Sequence, residues 1–241
     1  MPEPDVLYED NHLLVLNKPP GLATMGAEGA ATLHQAACRY LADKYGKPGR
    51  VFLGVVHRLD SMSSGVLVMA RTSKAAARLS EQFRRAGSGP GKVYIAAVAG
   101  DLPEPQGQWR DWMAKNEAAH RMEAVSAATP GALEAELQYR VLRPVAVSGL
   151  QASLVAVRLL SGRKHQIRVQ FADRGHAVIG DVKYGGKRQA FVGIALHAWS
   201  LTIDHPTKGD RMTFRCLPPT QWGRWRPTAE ELAALDQAEA W

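Results

Sequence analysis

Alternation of apolar and polar positions is the strongest signal along this chain, and it predicts several β-strands. In residues 133–141, apolar side chains alternate with Glu, Gln and Arg, the pattern of a strand with one buried and one solvated face. Residues 150–160 predict its hairpin partner, and residues 6–10 and 12–17 predict an opening hairpin around Asp10. Further strands are predicted at residues 51–56, 66–70, 92–99, 195–203 and 212–216.

Apolar residues at helical spacing predict a smaller number of helices between these strands. One helix begins at Thr32, whose hydroxyl can cap it, and ends at Gly46, because glycine readily adopts the left-handed conformation that closes a helix. The other helices are predicted around residues 75–83, at residues 165–172 and at residues 227–240.

The arrangement of these elements predicts the fold class. Hairpin-like strands with a few interspersed helices favour an α+β fold built on a mixed, largely antiparallel sheet flanked by helices. Residues 101–131 carry Pro, Gly and Trp with weak periodicity, which predicts a loop or a loose hairpin. No linker divides the sequence, so we expect a single domain over residues 1–241.

Composition and charge narrow the possible partners. The 241 residues are 46% hydrophobic, and 30 Lys and Arg against 23 Asp and Glu give a net charge of +7. This excess of positive charge favours a polyanionic partner such as nucleic acid, or it serves solubility. Two cysteines, Cys38 and Cys216, are too few for a Cys-rich zinc site or a disulfide framework. No signal peptide and no apolar run of membrane-spanning length is evident, so we expect a cytoplasmic protein that does not enter the membrane.

The segment 57–65 is the first place where polar residues interrupt apolar strands. It places His57, Arg58, Asp60 and several hydroxyls immediately after the predicted strand 51–56. Asp60 is then either a functional carboxylate or a turn residue that bonds the local backbone. A protein kinase loop is excluded, because the spacing is wrong and the glycine-rich and Asp-Phe-Gly motifs are missing.

The segment 161–168 is the second such place, since it sets three cations at the start of a predicted helix. The helix dipole disfavours positive charge there, so the pattern indicates either an anion opposite them or a solvated basic turn. His165 and Arg168 share a helix face, yet no further His or Cys has the spacing of a metal site. On the predicted strand 92–99, Tyr94 is either a core aromatic or a functional phenol.

Taken in order, these segments resemble the RluA-type pseudouridine synthases over residues 6–217. Ser63 stands where the family usually has Thr, and the N-terminal S4-type RNA-binding domain of many relatives is not expected here. The matching motifs are Tyr-Glu-Asp at 8–10, Asn-Lys-Pro-Pro-Gly-Leu at 17–22, His-Arg-Leu-Asp at 57–60 with Ser-Gly at 64–65, Lys-Val-Tyr at 92–94, Gly-Arg-Lys-His-Gln-Ile-Arg at 162–168, Gly-Asp at 180–181 with Tyr-Gly at 184–185, Leu-His-Ala at 196–198 and His-Pro at 205–206.

The resemblance implies the pseudouridine synthase catalytic fold, with its bent sheet, and isomerisation of uridine to pseudouridine in structured ribosomal or transfer RNA. It implies no cofactor and no metal. Nothing in the sequence demands a dimer, so we expect a monomer. Asp60 would be the catalytic carboxylate, which either attacks the nucleotide or removes a sugar proton. Tyr94 would stack against the flipped uracil and take the proton from C5. Arg168 would pair with Asp60 and keep it ionised.

The resemblance also implies a set of substrate-binding residues. Arg58 would occupy the stack that the extruded base vacates. Ile167 and Leu196 would line an apolar pocket around the base. His57, Arg163 and His165 would contact the RNA.

Two other functions stay open at the level of sequence. The chain could be an RNA-binding or RNA-chaperone module that keeps the fold without catalysis, although a pure binder has little use for Asp60, Tyr94 and Arg168. It could also be a hydrolase that uses Asp60 with His57 or His165, although it lacks a nucleophile elbow and a metal-ligand set.

Overall fold

The computed structural model describes residues 3–26, 30–46, 48–85, 89–147 and 150–237. The chain divides into two compact units, here called the first and second unit. The first comprises Met1–Lys92 with Ala198–Leu217, and the second comprises Val93–His197 with Pro218–Trp241. The prediction of one catalytic domain without an S4 domain stays a prediction.

Strands provide most of the regular structure. They are β1 (Asp5–Glu9), β2 (Leu13–Lys18), β3 (Gly54–Val55), β4 (Ser64–Ala70), β5 (Gly91–Ala99), β6 (Gln106–Asn116), β7 (Arg121–Val125), β8 (Leu133–Val147), β9 (Leu150–Leu159), β10 (Leu196–Asp204) and β11 (Arg211–Arg215). The helices are α1 (Leu33–Tyr45), α2 (Ser73–Arg84), α3 (Gln166–Asp173) and α4 (Ala229–Gln237), with 3-10 turns at Val182–Tyr184 and Thr220–Trp225. Residues 238–240 of the predicted last helix lie outside the described residues.

The first unit is a sheet in the order β1-β2-β4-β10, with β3 paired to β4 and β11 to β10. The β1–β2, β2–β4 and β10–β11 pairs are antiparallel, and the first of them is the predicted opening hairpin. Leu13, Val15 and Val68 of the sheet pack with Ala75 and Leu79 of α2 in its buried core. Thr32 forms a capping box at the start of α1, and Gly46 closes that helix with a left-handed backbone, as predicted.

The opening hairpin is fixed by the carboxylate of Asp10. Its Oδ1 accepts from the backbone of His12 and Leu13 at 2.7 and 2.8 Å, and its Oδ2 accepts from His205 at 2.8 Å. Burial favours the neutral acid, but these bonds and one from Tyr8 outweigh it and lower the pKa of Asp10 to about 2. Asp10 and His205, which belong to separate motifs, therefore share one structural cluster in the first unit.

The strand predicted at residues 51–56 is mostly wrong, because only Gly54–Val55 is extended and paired. Side chains take over the hydrogen bonds that a longer strand would make. The imidazole of His34 lies 2.9 Å from the carbonyl of Leu53, and the backbone N–H of Val68 in β4 donates to a side chain instead of to a neighbouring strand.

The second unit is a sheet in the order β5-β9-β8-β6-β7, and β8 and β9 form the predicted hairpin. The prediction of a loop or loose hairpin at residues 101–131 is wrong in part. The segment contains the regular hairpin of β6 and β7, with β6 also paired along β8. Sequence periodicity missed it because the less exposed face of β6 carries Gly107 and Asp111 beside Trp109. Trp109 packs against Tyr139 and Phe171, so it belongs to the core.

The described strands pair mostly antiparallel and are flanked by a few helices, which confirms the predicted α+β class.

Candidate active site

In the first unit, Asp60 lies on the segment that connects β3 to β4, and the residue before it is clamped. The buried hydroxyl of Thr24 donates to the carbonyl of Leu59 at 3.1 Å and accepts from its N–H at 3.3 Å. After Asp60 the chain turns, since both the N–H and the hydroxyl of Ser63 bond the Asp60 carbonyl, at 3.2 and 3.0 Å. The backbone of Asp60 is therefore held from both sides.

A buried lysine ties this segment to the opening loop. The ammonium of Lys18 is fully buried at the end of β2 and donates to the carbonyls of Pro19, Leu22 and Ser61 at 2.9, 2.7 and 3.1 Å. Burial lowers the pKa of Lys18 to about 8, against an opposing effect of the negative charge on Asp60. Lys18 therefore places a positive charge within electrostatic reach of Asp60 and joins the loops on either side of it.

His57 is held inside the first unit as a neutral base. Its Nε2 accepts from the backbone N–H of Val68 at 3.0 Å, so the ring proton is on Nδ1, and the ring stacks on Phe83 of α2 at 4.3 Å. Burial, assisted by the charge of Lys92, lowers the pKa of His57 to about 3. The imidazole thus supports the loop that carries Asp60, and a contact between His57 and substrate stays a prediction.

At Gly65, next to this loop, β4 approaches β10 closely. Its φ of +119° is a conformation that L side chains rarely adopt, and a Cβ there would lie 2.3 Å from the carbonyl oxygen of Ala198. The glycine that follows Ser64 in the motif is therefore required by packing. Arg58, by contrast, is exposed on the same loop, where it is available to solvent or RNA.

In the second unit, Arg168 of α3 is fixed by an aspartate to which the sequence assigned no role. Nε and Nη2 of Arg168 donate to Oδ2 and Oδ1 of Asp181 at 2.6 and 2.8 Å. Only 5% and 1% of the two side chains are exposed, and the guanidinium carbon also lies 4.9 Å from the ring centroid of Tyr184. The guanidinium is thereby held in one plane, which a lysine could not reproduce.

The loop that presents Asp181 is closely packed around it. The carbonyl of Asp181 accepts from the N–H groups of Tyr184 and Gly186 at 3.1 and 2.8 Å. A Cβ on Gly186 would lie 2.3 Å from the carbonyl oxygen of Val178, so only glycine fits. The Gly-Asp and Tyr-Gly motifs therefore act as one structure that supports Arg168.

His165 precedes α3 with a positive φ of 57°, which is uncommon for a residue other than glycine. Its Nδ1 lies 2.7 Å from the hydroxyl of Tyr184, and that hydroxyl accepts from the N–H of Met122 at 3.1 Å. The hydroxyl of Tyr184 therefore links His165, at the start of α3, to the backbone of β7. Backbone strain of this kind concentrates at functional sites.

The remaining predicted residues of the second unit differ in exposure. Arg163 is exposed and its Nε donates to the carbonyl of Glu134 at 2.8 Å. Ile167 and Leu196 are almost fully buried, at 3% and 4% exposure, and Tyr94 lies partly buried on β5. Asp60 belongs to the first unit, whereas Tyr94 and Arg168 belong to the second, so their action on one nucleotide stays a prediction.

Three supporting residues were not identified as functional from sequence: Thr24, Lys18 and Asp181. Two of them had a weak signal. Lys18 follows the apolar run 13–16 and Asn17 just before two prolines, and Asp181 follows the apolar residues 177–179 through a glycine. Those signals do not specify partners that lie 13 to 43 residues away in the chain.

Comparison with known proteins agrees with this geometry. The family model for RNA pseudouridylate synthase matches residues 12–173, which include Asp60, Tyr94 and Arg168. The chain belongs to the RNA pseudouridylate synthase family. The resemblance stated from the motifs is therefore confirmed, as is the prediction of an RNA-modifying isomerase.

Individual relatives give the same family assignment for most of the chain. The ribosomal large subunit pseudouridine synthase D of Zymomonas mobilis is 35% identical over 227 residues, covering 89% of this chain and 69% of the relative. The dual-specificity RNA pseudouridine synthase RluA of Haemophilus influenzae is 32% identical, covering 87% and 91%. Several other curated relatives are longer, and this synthase spans 61 to 65% of their length.

A solved structure has the same fold. The human RNA pseudouridylate synthase domain containing 1 superimposes with a TM-score of 0.78 at 24% identity, covering 98% of this synthase and 96% of that chain. Within the described residues, no helix is both long and apolar enough to cross a membrane. The prediction of a cytoplasmic monomer stays a prediction.

Proposed function

We propose that this synthase isomerises uridine to pseudouridine in structured ribosomal or transfer RNA, with Asp60 as its catalytic carboxylate and without a cofactor. The observation that carries the proposal is the support of Asp60. The chain on either side of it is fixed by Thr24 and Ser63, and the buried ammonium of Lys18 acts on it electrostatically. A carboxylate in an ordinary surface turn needs no such support.

The reaction needs no co-reactant, because uridine and pseudouridine contain the same atoms. The bond between C1′ of the ribose and N1 of the base breaks, and C1′ then bonds to C5. The hydrogen on C5 leaves as a proton, and N1 gains a proton. The residues must therefore hold the base while it turns, stabilise charge at the sugar and accept one proton.

Each proposed residue suits one of these tasks. Asp60 supplies the negative charge, either as a nucleophile or as the base that removes a sugar proton to give a glycal. Tyr94 stacks on the uracil and takes the C5 proton. Arg168 offsets the charge of Asp60, and its pair with Asp181 fixes the plane of the guanidinium before RNA binds.

Recognition of the base and the RNA completes the proposal. Arg58 is exposed next to the Asp60 loop, where it can enter the stack that the flipped uridine leaves. Ile167 and Leu196 provide apolar surface for the base, while Arg163 and His165 at the start of α3 contact the backbone. His57 has a pKa of about 3, which argues against a hydrolase that uses it as a base alongside Asp60.

The experiment is tritium release from RNA that contains 5-tritiated uridine. We expect Asp60→Asn to reduce release by at least about a thousandfold while RNA affinity changes by less than about threefold. Asp101→Asn, which removes an exposed carboxylate, serves as the matched control and should keep wild-type turnover.

Other outcomes identify the rival functions. A wild-type protein that binds RNA without releasing tritium would indicate a binding module. Release of free uracil or cleaved RNA would indicate a hydrolase. Full turnover by Asp60→Asn would refute the role of Asp60. Comparison of pseudouridine maps of total RNA with and without the protein would then identify the target, and a map without differences would count against the activity.

A further inference from the structure

A groove on the first unit, outside the predicted site residues, is lined by cations. It lies between the outer face of α2 and the turn at residues 204–209, and it encloses about 550 Å³. Four cations line it: Arg78, Arg84, Arg85 and Lys208.

The walls of this groove are held together by hydrogen bonds from α2. Arg78 donates to the carbonyl of Pro206 at 2.7 Å, and the side-chain amide of Gln82 both donates to and accepts from the backbone of Asp204, at 2.8 and 3.0 Å. His205 stabilises the turn at 204–209, because its Nδ1 accepts from the N–H of Lys208 at 3.0 Å. The groove is therefore formed in advance of any ligand, which lowers the entropic cost of binding.

The charges in the groove are only partly compensated. Glu81 is shared by Arg84 and Arg85, at 2.6 and 3.7 Å, and Asp204 is paired with Arg211 at 3.1 Å. Among the described residues, Glu81 is then the one lining carboxylate that is not paired with a cation outside the lining. The four lining cations therefore leave an excess of three positive charges. In the described part of the chain, Lys208 has no carboxylate partner.

The groove is connected to the loop that carries Asp60. Phe83, which precedes Arg84 on α2, stacks on the imidazole of His57 at 4.3 Å, and His57 is three residues before Asp60. The Phe83–His57 stack therefore joins the helix that builds one wall of the groove to the segment that carries Asp60. A small anion would use two or three of these charges, whereas a strand of RNA uses all of them along its phosphates.

We propose that this groove binds the phosphate backbone of the substrate RNA. The inference rests on the proposed function for the identity of the RNA, and it adds a contact surface built by α2 and the turn at 204–209. The contacts are to phosphates, so they raise affinity for every sequence equally and leave the choice of uridine to the site that receives the base.

The experiment compares two triple variants with the same change in net charge. The groove variant is Arg84→Gln with Arg85→Gln and Lys208→Gln. The control variant is Arg39→Gln with Arg50→Gln and Arg224→Gln, which removes three exposed cations elsewhere. RNA affinity is measured across a series of salt concentrations with one structured RNA, and folding is checked by thermal unfolding.

We expect the groove variant to lose about tenfold or more in affinity at low salt and to reduce the slope of log affinity against log salt by about 2. The control variant should lose less than about threefold, because its charges act only at long range. Equal losses of affinity and slope in the two variants would overturn the proposal.

A variant with the opposite charge change guards against loss of folding. Glu81→Gln removes the only carboxylate that Arg84 and Arg85 share, and we expect it to tighten RNA binding by about threefold. Unchanged or weaker binding by Glu81→Gln would count against the groove. All these readouts are affinities, so they remain valid if wild-type protein releases no tritium, and that separates failure of this inference from failure of the proposed activity.

Discussion

Arg168 and Asp181 form a two-point ion pair in which Nε lies 2.6 Å from Oδ2 and Nη2 lies 2.8 Å from Oδ1. Both side chains are buried, so the loss of either partner would be costly. The pair fixes the plane of the Arg168 guanidinium, which belongs to the basic motif at 162–168. Asp181 comes from a loop that lies beyond the matched residues 12–173.

Removal of the carboxylate charge at Asp181 should therefore impair both stability and turnover. We expect Asp181→Asn to lower the free energy of unfolding by about 3–5 kcal/mol, because it breaks a buried ion pair that bonds the guanidinium at two nitrogens. Turnover should fall by at least about tenfold at a temperature where the variant is folded. Denaturant unfolding and tritium release measure the two effects. Asp173→Asn, at an exposed carboxylate on α3, the helix that carries Arg168, is the control and should change neither.

Lys18 should give the stability of the protein a recognisable pH dependence. Its pKa is about 8 in the folded protein against 10.5 ordinarily, so between these values the unfolded state binds more protons and stability rises with pH. The increment is about 3 kcal/mol, which is fully gained only above pH 10.5.

Lys18→Met removes this increment and leaves three carbonyls without their donor. We expect urea unfolding at a series of pH values to show that wild type gains stability relative to the variant from pH 8 upward. Turnover by Lys18→Met should fall by at least about tenfold at pH 7.5. A constant difference in stability between the two proteins across this interval would contradict the buried, charged state of Lys18.

Two substitutions of Tyr94 should distinguish its stacking on the base from its role in proton transfer. Tyr94→Phe keeps the ring and removes the hydroxyl, so we expect RNA affinity within about twofold of wild type and turnover reduced by about a hundredfold or more. Tyr94→Ala should lose affinity as well, because the stacking surface disappears. Tyr40→Phe, whose hydroxyl bonds Glu9 at 2.9 Å, is a control for loss of a phenol and should retain turnover. Wild-type turnover by Tyr94→Phe would exclude its hydroxyl as the base.

Gly65 should be among the least replaceable glycines of the chain. In Gly65→Ala the new Cβ would meet the backbone of Ala198 at 2.3 Å, and we expect a loss of more than about 3 kcal/mol in the free energy of unfolding. Gly131→Ala is the matched control, since Gly131 also has a positive φ but has open space around it. That control should lose only about 1 kcal/mol, from backbone strain alone. Similar losses in thermal or urea unfolding would show that the close approach of β4 and β10 at Gly65 is unimportant.

Local pattern predicted those parts of the fold whose signal lies within one element. The alternation in β8 and β9, the opening hairpin and the cap of α1 at Thr32 depend on neighbours a few residues apart, so the sequence displays them directly. The hairpin of β6 and β7 was missed because polar residues on its inner face have long-range partners. One of them, Asp111, bonds Gln170 and Arg174 at 2.7 and 3.0 Å.

The sequence by itself determined the family and the α+β class, because those properties reside in ordered motifs and local periodicity. Only the tertiary structure decided how the side chains are held. In the folded chain Arg168 pairs with Asp181, the ammonium of Lys18 donates to three carbonyls, and the neutral imidazole of His57 accepts from the backbone of β4. The physical reason is that a buried charge or imidazole must find its hydrogen-bond partners wherever the folded chain brings them, and no local pattern specifies that place.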